Sequence, residues 1–132
     1  MDKPTLVDAD MKAGEALLRK LDKVKFDVKA ALWFYMPDSE EWRLFFASPL
    51  FDEKGPTKTY EKVQSLLPRL KEELEQDYEL SLQNISVVSP NDDLIKLLKT
   101  AVKTGPGIFH IRFARNVINN VFIEDAYIYR VL

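Results

Sequence analysis

The pair Asn119-Asn120 fixes the geometry of the last quarter of this chain. Both residues tolerate φ > 0, which a two-residue type I′ turn needs at its two central positions, and such turns join right-twisted antiparallel strands. The flanks, Ile108-Phe109-His110-Ile111-Arg112-Phe113 and Val121-Phe122-Ile123 through Tyr127-Ile128-Tyr129, are β-branched and aromatic. Those residue types suit a pleated, half-buried surface. Counting outward from the turn sets Ile118 against Val121, Arg115 against Glu124, Phe113 against Ala126, Ile111 against Ile128 and Phe109 against Arg130. Side chains alternate with period two, so one face is largely apolar. The other carries Ile108, His110, Arg112 and Asp125, with His110 opposite Tyr129 and Arg112 opposite Tyr127. Arg115 facing Glu124 makes an opposite-charge pair contributing roughly 0.2–1 kcal/mol.

Upstream, the pattern predicts a helix from about Ala9 to Asp22, capped by Asp8 and burying Met11, Leu17, Leu18 and Leu21, with Gly14 a mild liability inside it. Asp27 to Met36 is apolar on both faces and reads as a central strand, Trp33 and Tyr35 on one side, Leu32, Phe34 and Met36 on the other. Pro37 to Glu41 turns the chain. Trp42 to Ser48 returns as a second strand of the same character, ended by Pro49. Leu50 to Pro56 reads as a loop leading to the longest helix, about Thr57 to Gln76, in which Tyr60, Val63, Leu67, Leu70 and Leu74 form the apolar stripe. Pro68 costs about 3 kcal/mol in a helix interior, so the helix is expected to kink there or break near Ser65. Leu82 to Val88 forms a third strand. Asn91 then caps a helix with Leu94, Ile95, Leu97, Leu98, Ala101 and Val102 facing inward, stopped by Gly105-Pro106-Gly107.

The order α-β-β-α-β-α-β-β implies an α+β fold, a mixed and largely antiparallel sheet of about five strands covered by three helices, in one domain spanning residues 1–132. The sequence leaves strand order open. With 46% hydrophobic and 30% charged residues, the composition is that of an ordinary globular chain. There is no cysteine and one histidine, which removes thiolate chemistry and leaves zinc almost no ligands. No cofactor or metal is expected. No stretch approaches membrane-spanning length and Met1-Asp2-Lys3-Pro4 begins no signal peptide, so a cytoplasmic protein is expected. The net charge of −2 argues against general nucleic-acid binding. The basic run Lys20, Lys23, Lys25, Lys29 and the acidic run Glu72, Glu73, Glu75, Asp77, Glu79 read as solvated helix surfaces.

Gly105-Pro106-Gly107 follows a helix rather than opening one, and so lacks the helix N-terminus that makes a glycine loop a phosphate site. No serine-hydrolase elbow, zincin pair or P-loop occurs. Among the acidic pairs, Glu124 and Asp125 point to opposite faces of a strand and cannot chelate together. Asp92-Asp93 complements a helix dipole and Asp52-Glu53 is solvated loop. A metal-dependent nuclease, or another nucleic-acid-directed module, stands only as a third reading, kept because Lys54 follows Asp52-Glu53.

Two readings compete for the hairpin face. In the first, the protein acts by association, as a homodimer or as an accessory partner of another protein. His110, Arg112, Tyr127 and Tyr129 together with Trp33, Tyr35 and Trp42 are then its interface, because buried aromatics and arginines dominate such surfaces. Phe45, Phe46 and Phe51 add to the aromatic excess around the first hairpin. In the second, it is a small enzyme whose polar face of His110, Arg112, Asp125, Tyr127 and Tyr129 takes an anionic substrate: Arg112 binds the anion, His110 moves a proton and a tyrosine orients it.

The segment Asn116-Val117-Ile118-Asn119-Asn120-Val121-Phe122-Ile123-Glu124-Asp125-Ala126-Tyr127-Ile128-Tyr129-Arg130 resembles small bacterial proteins of unassigned activity that end in a similar hairpin. The resemblance implies a bacterial cytosolic origin and brings no catalytic residue with it.

Overall fold

The run that is apolar on both faces becomes the middle of the sheet. In the computed structural model, which describes residues 3–74 and 78–132, the elements are α1 (Asp8–Lys23), β1 (Ala30–Met36), β2 (Glu41–Ala47), α2 (Pro49–Lys71), β3 (Ile85–Val88), α3 (Asp93–Lys99), β4 (Ile111–Ile118) and β5 (Val121–Val131). The expected α+β order holds. The five strands lie in the order β3-β2-β1-β5-β4, antiparallel except for the parallel pair β2 and β3. Gln76, where the second helix was expected to end, Glu75 and Asp77 of the acidic run, and Met1-Asp2 lie outside the described residues.

Both faces of the sheet are covered, unequally. On one, Leu17, Leu18 and Leu21 of α1 and Val63, Leu66 and Leu70 of α2 pack on Ala31, Trp33, Leu44, Phe46, Ile85 and Tyr129. On the other, Ile95 and Leu98 of the short α3 pack on Leu32, Phe45, Ala126, Ile128 and Val131, with Phe34, Met36, Ile111 and Phe113 half-buried around them.

Several local expectations need correction. Val7 is the N-cap of α1, and Asp10 rather than Asp8 satisfies it, its carboxylate accepting from the Val7 amide at 3.1 Å. The segment after Pro49 is helix, because Ser48 caps it through Leu50 N at 3.1 Å and Pro49 supplies the preset φ of a first helical position. The break in α2 falls at Gly55 (φ 83°, ψ 168°), ahead of Pro56, since a residue before proline is pushed out of the α region; the helix then runs unbroken through Ser65 and Pro68 to Lys71. Leu82–Asn84 is a 3₁₀ turn rather than strand, and α3 is capped by Asp92, which accepts from Leu94 N at 3.1 Å, with Ala101 exposed.

The chain leaves α1 through a motif that normally uses glycine. Lys25 N donates to Asp22 O at 3.1 Å and Phe26 N to Leu21 O at 3.0 Å, the bonding of a Schellman cap, which places Lys25 at φ 58°. Phe26 and Leu21 are both buried and supply the apolar contact that accompanies this cap. A left-handed conformation costs an L-residue about 1–2 kcal/mol, more than the entropy lost by introducing glycine. Lys25→Gly should therefore stabilise the protein by about 0.5–1 kcal/mol in urea unfolding. A loss of stability would mean that the lysine side chain contributes contacts that outweigh its backbone strain.

Candidate functional site

The counted register places the polar hairpin residues. Ile111↔Ile128, Arg112↔Tyr127, Phe113↔Ala126 and Ile118↔Val121 pair as expected, and Asn119 and Asn120 turn at φ 48° and 68°. Two details differ. Arg115 adopts φ 48° and drops out of the ladder, so it makes no ion pair with Glu124. Alternation breaks there: Ala126 and Ile123, three residues apart, both face the α3 side, with Ile118 beside them. Past Ile128, β5 carries an extra residue against β1, and Phe109 N bonds Tyr129 O at 2.8 Å instead of Phe109 facing Arg130.

Arg112 and Asp125 sit on one face, one step diagonal to each other. The guanidinium forks onto the carboxylate, Nε to Oδ1 and Nη2 to Oδ2, both at 2.7 Å. Lys3 Nζ donates to the same Oδ2 at 2.7 Å and lies 5.5 Å over the Tyr35 ring and 5.9 Å from the Trp42 ring. Trp42 also stacks under Arg112 at 5.7 Å and donates its indole N–H to Pro4 O at 2.9 Å. Lys3 to Val7 thus form a strap across the face, anchored by buried Leu6. The Asp125 side chain is only 3% exposed. Its burial raises the carboxyl pKa, but the hydrogen bonds and charges of Arg112 and Lys3 together outweigh burial and hold it below its ordinary value.

A carboxyl depressed in the folded state stabilises above its unfolded pKa and loses that contribution as pH falls through the folded value. Asp125→Asn should accordingly be less stable than wild type at neutral pH, with the gap closing below about pH 4, where unfolded carboxylates begin to protonate. Urea unfolding across that range reads the gap directly. A gap unchanged down to about pH 2 would assign the loss to packing instead of charge.

His110 stands apart at the rim. Its Nε2 lies 2.5 Å from Glu15 Oε1, while Glu15 Oε2 takes Arg19 Nη2 at 2.8 Å. The imidazole tilts against Tyr127 at 6.2 Å, and Tyr127 meets Tyr129 edge-on at 5.3 Å. Tyr129 is fully buried beneath α1 and donates its hydroxyl to Met11 O at 2.5 Å; burial pushes its pKa far up. Tyr127 is also raised, first by burial and then by Glu15 and Asp8. Neither phenol is an acid at working pH. Arg112 engages Asp125 through Nε and Nη2, which leaves its Nη1 N–H groups outside that pair, and the exposed His110–Glu15 pair stands at the rim of the same face.

Of the remaining residues named from the sequence, Trp33 is buried and donates to Asp10 O at 3.1 Å, Tyr35 is buried and Trp42 is half-buried. Lys3 and Glu15 were missed, because neither lies near the hairpin in sequence and nothing local marks them. Arg130 is buried in an ion pair with Asp22. Asp52 accepts from Ser89 Oγ at 2.8 Å. Among the described residues no three of His, Cys, Asp and Glu converge in a metal-holding group, and no helix is long and apolar enough to cross a membrane. Two concavities, of about 410 and 430 Å³, lie between α2 and Tyr78–Leu82 and beside Asp22, Lys25 and Arg130; no residue of the polar hairpin face lines either. No family model, no curated protein and no solved structure matches this chain.

Proposed function

We propose that this protein is cytoplasmic and acts by association, with a second copy of itself as partner and the β4–β5 hairpin as the contact surface. One observation carries the reading: Val117, Val121 and Phe122 stand 59%, 46% and 55% exposed at the tip, and Phe109 is exposed at the far end of the same hairpin. β4 is also an outer strand, so one row of its backbone N–H and C=O groups has no strand partner among the described residues. Charge favours a copy of the same surface. Arg115 and Glu124 flank the apolar tip and make no ion pair among the described residues, so a two-fold contact lets each copy's arginine meet the other's glutamate. A stable contact buries about 1,000 Å² or more in total, which requires the tip and the β4 edge together.

Sedimentation at micromolar concentration is expected to give a dimer. Val117→Glu combined with Phe122→Glu should give a monomer whose thermal midpoint is little changed, because both side chains are exposed in the single chain. A monomeric wild type, or a dimer indifferent to the two glutamates, would refute the reading.

A further inference from the structure

The surroundings of Lys3 Nζ have the composition of a ligand site. A carboxylate oxygen lies at 2.7 Å, and two aromatic rings stand at 5.5 and 5.9 Å, inclined to each other by 63° as adjoining walls. Distances under about 6 Å place an ammonium within the attraction of each ring's π face. The carboxylate is 3% exposed and already fixed by Arg112, while Tyr35 is buried and edge-packed on Trp42. Asp125 and Tyr35 are thus set by the sheet, and Trp42 is held by Tyr35 and by its bond to Pro4 O, so none of the three takes its position from the lysine ammonium. The occupant is the less fixed partner: Lys3 Nζ has a single hydrogen-bond acceptor among the described residues and a side chain 30% exposed.

We infer that Asp125, Tyr35 and Trp42 form a recognition cradle for a primary alkylammonium group, filled in this structure by the chain's own Lys3, and that an amine from outside the chain can take its place. Removal of Lys3 takes one positive charge from the group Lys3, Arg112 and Asp125 and frees the Oδ2 lone pair that accepted from it, which an incoming ammonium restores. The carboxylate specifies an N–H donor. A quaternary ammonium could use the rings but could not donate to Oδ2. A lysine side chain of another polypeptide and a free aliphatic diamine share this chemistry.

The test uses the full chain and its two indole N–H resonances. Trp42 borders the cradle, whereas Trp33 donates to Asp10 O beneath α1 and serves as an internal reference for the fold. In Lys3→Ala, n-butylammonium chloride should shift the Trp42 resonance saturably and leave Trp33 in place. Wild type should need at least about tenfold more amine, because the tethered Lys3 competes at high effective concentration. Lys3→Gly repeats the measurement against the possibility that the alanine methyl itself enters the cradle. Nα-acetyl-lysine N-methylamide and cadaverine, titrated in parallel, identify the source by which binds more tightly. The inference is overturned if neither variant responds, if wild type and both variants respond alike, or if tetramethylammonium shifts Trp42 as strongly as the primary amine.

Discussion

Gly14→Ala should lower stability by about 2–4 kcal/mol, although it replaces the second-worst helix former with the best. Propensity alone would give a gain of about 1 kcal/mol. Packing reverses the sign. A Cβ at position 14 would collide with the Tyr129 hydroxyl and approach Trp33 Nε1 to 2.8 Å and Tyr129 Cε2 to 2.9 Å. Both rings are buried, one fully, and neither has a flexible end that can move aside. Each also makes the hydrogen bond that docks α1 on the sheet, Tyr129 to Met11 O and Trp33 to Asp10 O. Relieving the collision therefore lengthens or breaks one of these bonds, and a buried polar group left unpaired costs about 1–3 kcal/mol. Calorimetry should show a Tm lower by roughly 10 °C for the alanine variant, with Lys12→Ala on the exposed face of α1 as a near-neutral control. Gly14→Leu should not fold. An alanine variant as stable as wild type would mean that α1 can lift from the sheet without loss.

The same glycine shows where sequence reasoning stops. From the chain alone Gly14 is a defect in a helix; its use lies in the approach of Tyr129, 115 positions later, and no local pattern encodes that distance. Features that rest on local chemistry were legible. The Asn119-Asn120 turn and period-two alternation gave the pairing from Ile111↔Ile128 to Ile118↔Val121, and hence the shared face of Arg112, Asp125 and Tyr127. The two-faced apolar run read from Asp27 to Met36 marked the central strand, which begins only at Ala30. Ser48-Pro49 did carry a helix-start signal, an N-cap followed by a proline at the first position, which reading Pro49 only as a strand terminator obscured. Irregularities were not legible. Arg115 in the left-handed region and the extra residue in β5 each break a count that assumes regular strands, and Lys3 reaches Asp125 across 122 positions. The polar face was found, but its occupants from α1 and the strap were not, because they arrive through tertiary packing.

Arg130 is the second position where a large loss is expected. Its side chain is 4% exposed and bonds four ways: Nε to Gly107 O at 2.9 Å, Nη1 to Asp22 Oδ1 at 3.0 Å and Val28 O at 3.1 Å, and Nη2 to Asp22 Oδ2 at 2.8 Å. It joins the end of α1, the entry to β1 and the loop before β4 to one point on β5. Asp22 in the last turn of α1 opposes the helix dipole, an arrangement that the fixed guanidinium compensates. Removing one partner of a buried pair costs about 3–5 kcal/mol, but Asp22 is 39% exposed, so a carboxylate left behind by Arg130→Met can recover water. The larger part of that variant's loss then comes from the buried Val28 carbonyl, at about 1–3 kcal/mol, and from lost packing, since Gly107 is exposed and its carbonyl can also recover water. We expect a loss of about 3–4 kcal/mol for Arg130→Met and about 2–3 for Asp22→Ala, which strands a buried guanidinium that keeps its two carbonyls. The double variant should lose less than the sum of the two, by about 1.5–3 kcal/mol, because the second substitution removes a group whose partner has already gone. Arg130→Lys should not rescue, since one ammonium cannot span four acceptors on three segments. Strict additivity in that cycle, or an Asp22→Ala variant as stable as wild type, would show that the guanidinium is held by its carbonyls alone and that the acid at the helix end contributes nothing.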